Sequence, residues 1–87
     1  MKAHTNIQFL GLMENIKIEF GKNVKKFRLK KKISQEKLAE IAELHRTYIS
    51  DVERGTRSIS LGNIQKIAIA LDIPIYKLFL FEDGSFD

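Results

Sequence analysis

The sequence predicts an all-α fold of five short helices, in which the second and third form a helix-turn-helix. Apolar residues recur at intervals of three and four along most of the chain, as in helices with one buried face. Only the short stretch at residues 79–81 has a residue pattern that could fit a strand. The five glycines and one proline are too few for a collagen-like or disordered chain. We therefore predict one domain over residues 14–87, preceded by an extension at residues 1–13 that lacks a clear period and is a candidate flexible segment.

The first helix is predicted from about Ile18 to Lys31. Within it Phe20, Val24 and Phe27 recur at helical spacing, which is typical of a helix that packs one side on a core. We expect this helix to form the back wall of that core.

Residues 34–55 predict the second and third helices, which are short, amphipathic and joined by a tight turn. Ser34 is a suitable N-cap for the second helix, and Gly55 is placed to end the third. At about 100° per residue, the third helix turns Ile49, Val52 and Glu53 to one side. Its opposite arc is polar: Arg46, Thr47, Ser50, Asp51 and Arg54. Such a pair of helices is typical of a helix-turn-helix that reads DNA.

The fourth and fifth helices follow a loop at residues 56–58. Ser60 can cap the fourth helix, and Asp72 to Pro74 interrupt the helical pattern after it. The fourth helix carries a strong apolar stripe: Leu61, Ile64, Ile67, Ala68 and Leu71. The fifth is short and unusually apolar, around residues 75–79.

The charge of the chain is unevenly distributed. The net charge is only +4, yet residues 17–37 hold nine basic residues against Glu19 and Glu36. The stretch from Asp72 onward is net acidic. This asymmetry favours a basic surface for a polyanion, although a solvated helix face would explain Lys30, Lys31 and Lys32 equally well.

The composition argues against several classes of protein. The chain has no cysteine, its histidines are His4 and His45, and no glycine-rich phosphate loop follows a strand. We therefore expect no enzymatic activity, no metal and no cofactor. An apolar run long enough to span a bilayer is also missing, and the N-terminus is a poor signal peptide, so we expect a cytoplasmic protein without a membrane partner.

From Phe20 to Phe79 the chain resembles the Xre-type helix-turn-helix family of phage repressors, Cro proteins and bacterial regulators. The residues that carry the resemblance stand in order: Phe20-Gly21, Val24, Arg28, Ser34-Gln35, Leu38-Ala39, Ile49-Ser50, Glu53 and Gly55. Within the family, the run RTYISDVERGTR at residues 46–57 is most similar to the controller proteins of restriction–modification systems. The resemblance implies a lambda-repressor-like fold, an internal ion pair between Arg28 and Glu53, and a dimeric regulator of transcription. Antitoxins and prophage-type repressors with a similar run are the alternatives.

The chain departs from the family pattern at three positions. Lys32 and Glu43 stand where the family usually has glycine in a turn, and Ile59 stands where it usually has proline. At Glu43 we therefore expect a strained or altered backbone.

Candidate DNA contacts divide into base readers and phosphate contacts. A bidentate hydrogen bond from arginine to guanine is the commonest base contact in the major groove, so Arg46 is the first candidate for reading a base. The base-reading candidates are Arg46, Thr47, Ser50 and Asp51. The candidates for the DNA backbone are Gln35, Tyr48, Arg54, Arg57 and Lys25. For Asp51, the rejection of wrong sequences or no role in binding is as well supported as a direct contact. For Tyr48, packing on the core without a DNA contact is an equal alternative.

A single short helix contacts too few base pairs to specify one site in a genome. We therefore expect a homodimer on double-stranded DNA, with half-sites about 34–36 Å apart. The fifth helix is the candidate interface because it has more apolar residues than the small core needs: Ile75, Leu78, Phe79 and Phe81. The alternative is that these residues simply close the core. RNA polymerase is a further candidate partner.

Overall fold

The computed structural model describes residues 16–81, so the predicted extension at residues 1–13 lies outside the described residues. The described chain is all-α, as predicted. Its four α-helices are α1 (Ile16–Lys30), α2 (Gln35–Ala42), α3 (Arg46–Arg54) and α4 (Leu61–Leu71). A 3-10 helix at Ile75–Phe79 follows them. Within residues 16–81, no helix combines the length and apolarity needed to cross a membrane.

The fifth predicted helix is a 3-10 helix rather than an α-helix. Pro74 holds the backbone extended immediately before it, and Leu80 is extended immediately after it. Only five residues remain between these two extended positions, and 3-10 helices occur in such short pieces rather than in long runs. The C-terminal segment is therefore a short helix that packs on the core through Leu78.

Two serines begin their helices as the sequence predicts. The Ser34 hydroxyl accepts a hydrogen bond from the Lys37 amide at 2.9 Å, and the Ser60 hydroxyl accepts one from the Asn63 amide at 3.1 Å. Each bond satisfies an amide that has no partner within its own helix. The start of α2 and the start of α4 are therefore fixed by local interactions.

The turns after α1 and α2 contain left-handed residues with side chains. Lys32 has a φ of 61° and Glu43 a φ of 60°, at two positions where the resembled family usually has glycine. This conformation costs roughly 1–2 kcal/mol for a residue with a Cβ atom. At Glu43 the capping bond from the Leu44 amide to the Ala39 carbonyl oxygen, 2.9 Å, offsets part of that cost. The strained backbone predicted at Glu43 is therefore present.

The core lies between α1, α4 and the inner faces of α2 and α3. Its largest fully buried side chains come from all five elements: Leu38, Ile49, Ile67, Leu78 and Val24. Gly21 allows α1 to approach α3 closely, because a Cβ atom at this position would lie 2.2 Å from the Val52 carbonyl oxygen. The position of α3 is thus set by backbone contact as well as by side-chain packing.

Leu78 corrects one prediction about the C-terminal segment. The sequence placed Leu78 at the dimer interface, but its side chain is 0% exposed within the single chain. The tight turn of the 3-10 helix directs Leu78 into the core, while Ile75 is left 44% exposed. For Leu78, the alternative that it closes the core is the correct one.

Candidate nucleic-acid interface

The helix-turn-helix presents a polar face of α3 on the outside of the domain. Ile49 and Val52 bury the inner face of α3, whereas Arg46 and Thr47 are exposed at its N-terminal end. Ser50 and Asp51 are half-buried one turn later. The separation of arcs predicted from the sequence is therefore the one that the structure has.

A buried ion pair holds the helix-turn-helix to α1. Arg28 donates from Nε to Oε2 of Glu53 at 2.6 Å and from Nη2 to Oε1 at 3.1 Å. Its Nη1 donates to the Ile33 carbonyl oxygen at 2.9 Å. The side chains of Arg28 and Glu53 are 9% and 4% exposed, and α1 and α3 are thus joined by a bidentate bond away from solvent. This is the pair that the resemblance implies.

Gln35 belongs to the same network. Its Nε2 donates to Oε1 of Glu53 at 3.0 Å, which connects the first residue of α2 to α3. The sequence made Gln35 a candidate contact to the DNA backbone. In this arrangement its amide nitrogen is bonded to a buried carboxylate rather than offered to solvent.

Asp51 lies between two arginines on the outer side of α3. One carboxylate oxygen accepts from Nη2 of Arg54, and the other accepts from Nη2 of Arg57 at 3.1 Å. Arg54 also donates from Nη1 to the Ser50 hydroxyl at 2.8 Å. A base edge that uses Asp51 as an acceptor must therefore compete with an arginine for this carboxylate.

Tyr48 connects α3 to α4 and to the loop between them. Its ring packs against the core, and its hydroxyl accepts a hydrogen bond from Nδ2 of Asn63 at 3.0 Å. The guanidinium carbon of Arg57 lies 4.7 Å from the centre of the same ring, in cation–π contact. The sequence reasoning missed Asn63, since no local pattern relates it to a tyrosine 15 residues earlier.

The remaining candidates lie elsewhere on the domain. Lys25 is exposed on α1 and takes part in none of the contacts described above. Phe79 is half-buried, with its ring centre 5.1 Å from that of Phe20 and 6.2 Å from that of Phe81. The structure thus gives Phe79 and Phe81 an aromatic contact within the single chain, which leaves only Ile75 of the predicted interface residues largely exposed.

Four large apolar side chains at the end of α4 and in the C-terminal segment are exposed, and the sequence had singled out only Ile75 among them as an interface residue. Ile69 is 71% exposed, Tyr76 is 61% exposed and Leu80 is 56% exposed. Such large apolar side chains on the surface are typical of a protein–protein interface when they are close together. We call Ile69, Ile75, Tyr76 and Leu80 the C-terminal apolar surface.

Comparisons with known proteins agree with this geometry. The family model described as "Helix-turn-helix" matches residues 24–78, a range that contains all of α2, α3 and α4. Control protein C.BamHI from Bacillus amyloliquefaciens is 56% identical over 71% of this chain and 78% of its own length. Control protein C.MunI from a Mycoplasma species is 46% identical over 77% of this chain and 92% of its own length.

One solved structure extends the comparison to three dimensions. The restriction–modification controller protein C.AhdI from Aeromonas hydrophila has a TM-score of 0.72 and 46% sequence identity to this chain. The match covers 72% of this chain and 96% of that protein. The similarity is therefore one of fold as well as of sequence, and it supports a lambda-repressor-like fold.

Proposed function

Since this chain belongs to the helix-turn-helix family of restriction–modification control proteins, which are DNA-binding regulators of transcription, we propose that it binds a near-palindromic operator upstream of its own gene as a homodimer. The observation that carries this proposal is the outward polar face of α3, with Arg46 and Thr47 exposed at its first turn. In a helix-turn-helix, the N-terminal residues of the second helix are the ones that contact base edges.

Base reading is assigned to the start of α3. Arg46 is exposed and can form a bidentate hydrogen bond to the two acceptors of a guanine. Thr47 is also exposed and can contact a thymine methyl group or donate a hydrogen bond from its hydroxyl. Both residues lie on a helix whose inner face is anchored by buried Ile49 and Val52. The reading side chains are therefore presented by a rigid element, which favours discrimination between sequences.

Phosphate contacts are assigned to the end of α3 and the loop after it. Arg54 and Arg57 are 59% and 44% exposed at their side chains, although both are bonded to Asp51. An arginine that is bonded to a carboxylate on one side can still donate to a phosphate on the other, because guanidinium has five N–H groups. These two residues are proposed to supply affinity that depends on salt but not on sequence.

The direct test of this function is footprinting on the DNA that precedes the protein's own gene. At physiological salt and with a scrambled competitor duplex in excess, we expect two protected half-sites related by a two-fold axis. Equal protection along the whole fragment, or none, would contradict an operator.

Replacing Arg46 with alanine should weaken operator binding by roughly 1–3 kcal/mol and relax the base preference at one position of each half-site. Binding to random DNA should change much less, because a base contact contributes little there. Arg54→Ala is the matched control on the same helix, and we expect it to weaken binding to both duplexes alike. Competition titrations measure both effects. An equal loss on random DNA for Arg46→Ala would show that Arg46 holds a phosphate.

The C-terminal apolar surface is proposed as the dimer interface, in place of the buried Leu78. Ile69→Asp should give a folded monomer with poor operator affinity, since a charge would be placed in an apolar contact between two copies. Leu61→Asp is the matched control, because Leu61 is 85% exposed at the opposite end of α4 and should remain dimeric. Sedimentation or light scattering gives the mass directly. An Ile69→Asp protein that stays dimeric would exclude this interface.

A further inference from the structure

We infer that Asn63 is a positioning residue for DNA binding, which acts through Tyr48 on Arg57. This inference rests on the proposed function, and it deepens that function by adding a residue of α4 to the interface. Asn63 lies in the first turn of α4, outside the helix-turn-helix. The contacts that carry the inference form a chain from α4 through α3 to the loop.

The first contact orients the hydroxyl of Tyr48. Nδ2 of Asn63 donates to this hydroxyl at 3.0 Å in a half-buried site. A tyrosine hydroxyl can accept and donate at the same time. Because Asn63 occupies an acceptor position, the hydrogen of the hydroxyl must be directed away from Asn63. It can therefore be donated to another oxygen acceptor, which in the DNA complex would be a phosphate.

The second contact holds Arg57 in the loop after α3. Its guanidinium stacks on the Tyr48 ring at 4.7 Å, and its Nη2 donates to Oδ2 of Asp51 at 3.1 Å. A long side chain in a loop has many rotamers, and stacking on a fixed ring removes much of that freedom before DNA binds. The ring is fixed in turn by packing on the core and by the bond from Asn63.

Asn63 is itself held by the start of α4. Its backbone amide donates to the Ser60 hydroxyl at 3.1 Å, in the N-capping bond that ends the loop carrying Arg57. Asn63 thus connects the end of this loop to Tyr48 on α3. Loss of its side-chain amide should free Tyr48 and Arg57 while leaving the cap itself in place, because the capping bond uses the backbone.

The experiment measures DNA affinity across a salt series for the full chain. Asn63→Ala should weaken operator binding by about 3- to 10-fold, as expected for the loss of an ordered phosphate contact, and should reduce the salt slope by about one. Its thermal midpoint should remain close to that of the parent protein. Gln65→Ala is the matched control, since Gln65 is an exposed amide on the same helix and should change neither quantity.

A second variant tests whether Asn63 acts through Tyr48. Tyr48→Phe retains the ring but removes the hydroxyl, so adding Asn63→Ala to it should produce no further loss of affinity. Asn63→Asp should bind at least as weakly as Asn63→Ala. A carboxylate cannot donate to the Tyr48 hydroxyl and would instead accept its hydrogen, so that this hydrogen would no longer be available to a phosphate. Independent, additive losses in the double variant would overturn the inference, and so would an unchanged salt slope in Asn63→Ala.

The outcomes also separate this inference from the proposed function. If Arg46→Ala and Arg57→Ala both leave operator binding unchanged, the proposed interface is wrong. If those two variants bind weakly while Asn63→Ala binds like the parent protein, only the role of Asn63 is wrong.

Discussion

Replacing Leu78 with aspartate should leave most of the protein unfolded at room temperature. Leu78 is 0% exposed, and its carbonyl oxygen accepts a hydrogen bond from Nδ2 of Asn23 at 2.9 Å. Truncating a buried leucine to alanine alone costs about 2–5 kcal/mol, and an unpaired buried carboxylate adds to that cost. A domain of this size has a free energy of unfolding of only about 5–15 kcal/mol. Circular dichroism with urea titration measures the loss of folded protein.

Leu61 gives the matched control for this change. Leu61 is 85% exposed and lies outside the C-terminal apolar surface, so Leu61→Asp should keep the helical signal and the unfolding midpoint near those of the parent protein. A Leu78→Asp protein that is folded but monomeric would contradict the core position of Leu78. It would instead support the interface that the sequence alone predicted.

Replacing Arg28 with methionine should be the second most damaging single change, at about 3–5 kcal/mol of stability. The Glu53 carboxylate, 4% exposed, would then keep only the bond from Gln35 at 3.0 Å. Its desolvation would no longer be balanced by an opposite charge, and the polar link between α3 and α1 would be lost. The free energy of unfolding from urea titration gives the size of the effect.

Two further variants separate the charge from the packing at this site. Arg28→Met combined with Glu53→Leu should recover much of the lost stability, because an apolar pair needs no desolvated charge to be balanced. Lys22→Met, which breaks an exposed pair with Glu19 at 3.6 Å, should cost at most about 1 kcal/mol. If the double variant lost as much as the two single changes added together, the cost would not come from an unpaired charge.

Local signals made much of the fold predictable. Ser34 and Ser60 are caps because their hydroxyls satisfy amides three residues later, a relation that the sequence alone shows. The polar arc of α3 follows directly from helical periodicity. The pairing of Arg28 with Glu53 was implied by family resemblance, and the apolar arc around Glu53 gave it a physical reason.

Contacts between residues that are distant in the sequence were not predictable from it. The apolar residues at 75–79 do not themselves indicate which of them face the core, since that depends on the 3-10 turn and on Phe20 across the domain. Likewise, the contacts of Tyr48 with Asn63 and Arg57 depend on the path of the loop after α3. Periodicity describes one helix at a time and does not specify how two elements meet.

The close backbone contact at Gly21 has a consequence for how such proteins diverge. Any larger side chain there would press on the Val52 carbonyl oxygen and displace α3 from the rest of the domain. The inner face of α3 can therefore pack against the rest of the domain in only one position. The outer face of α3, at Arg46 and Thr47, is exposed and packs against nothing in the core. If these residues read bases as proposed, we expect a new target sequence to require only surface changes there, with the rest of the domain unaltered.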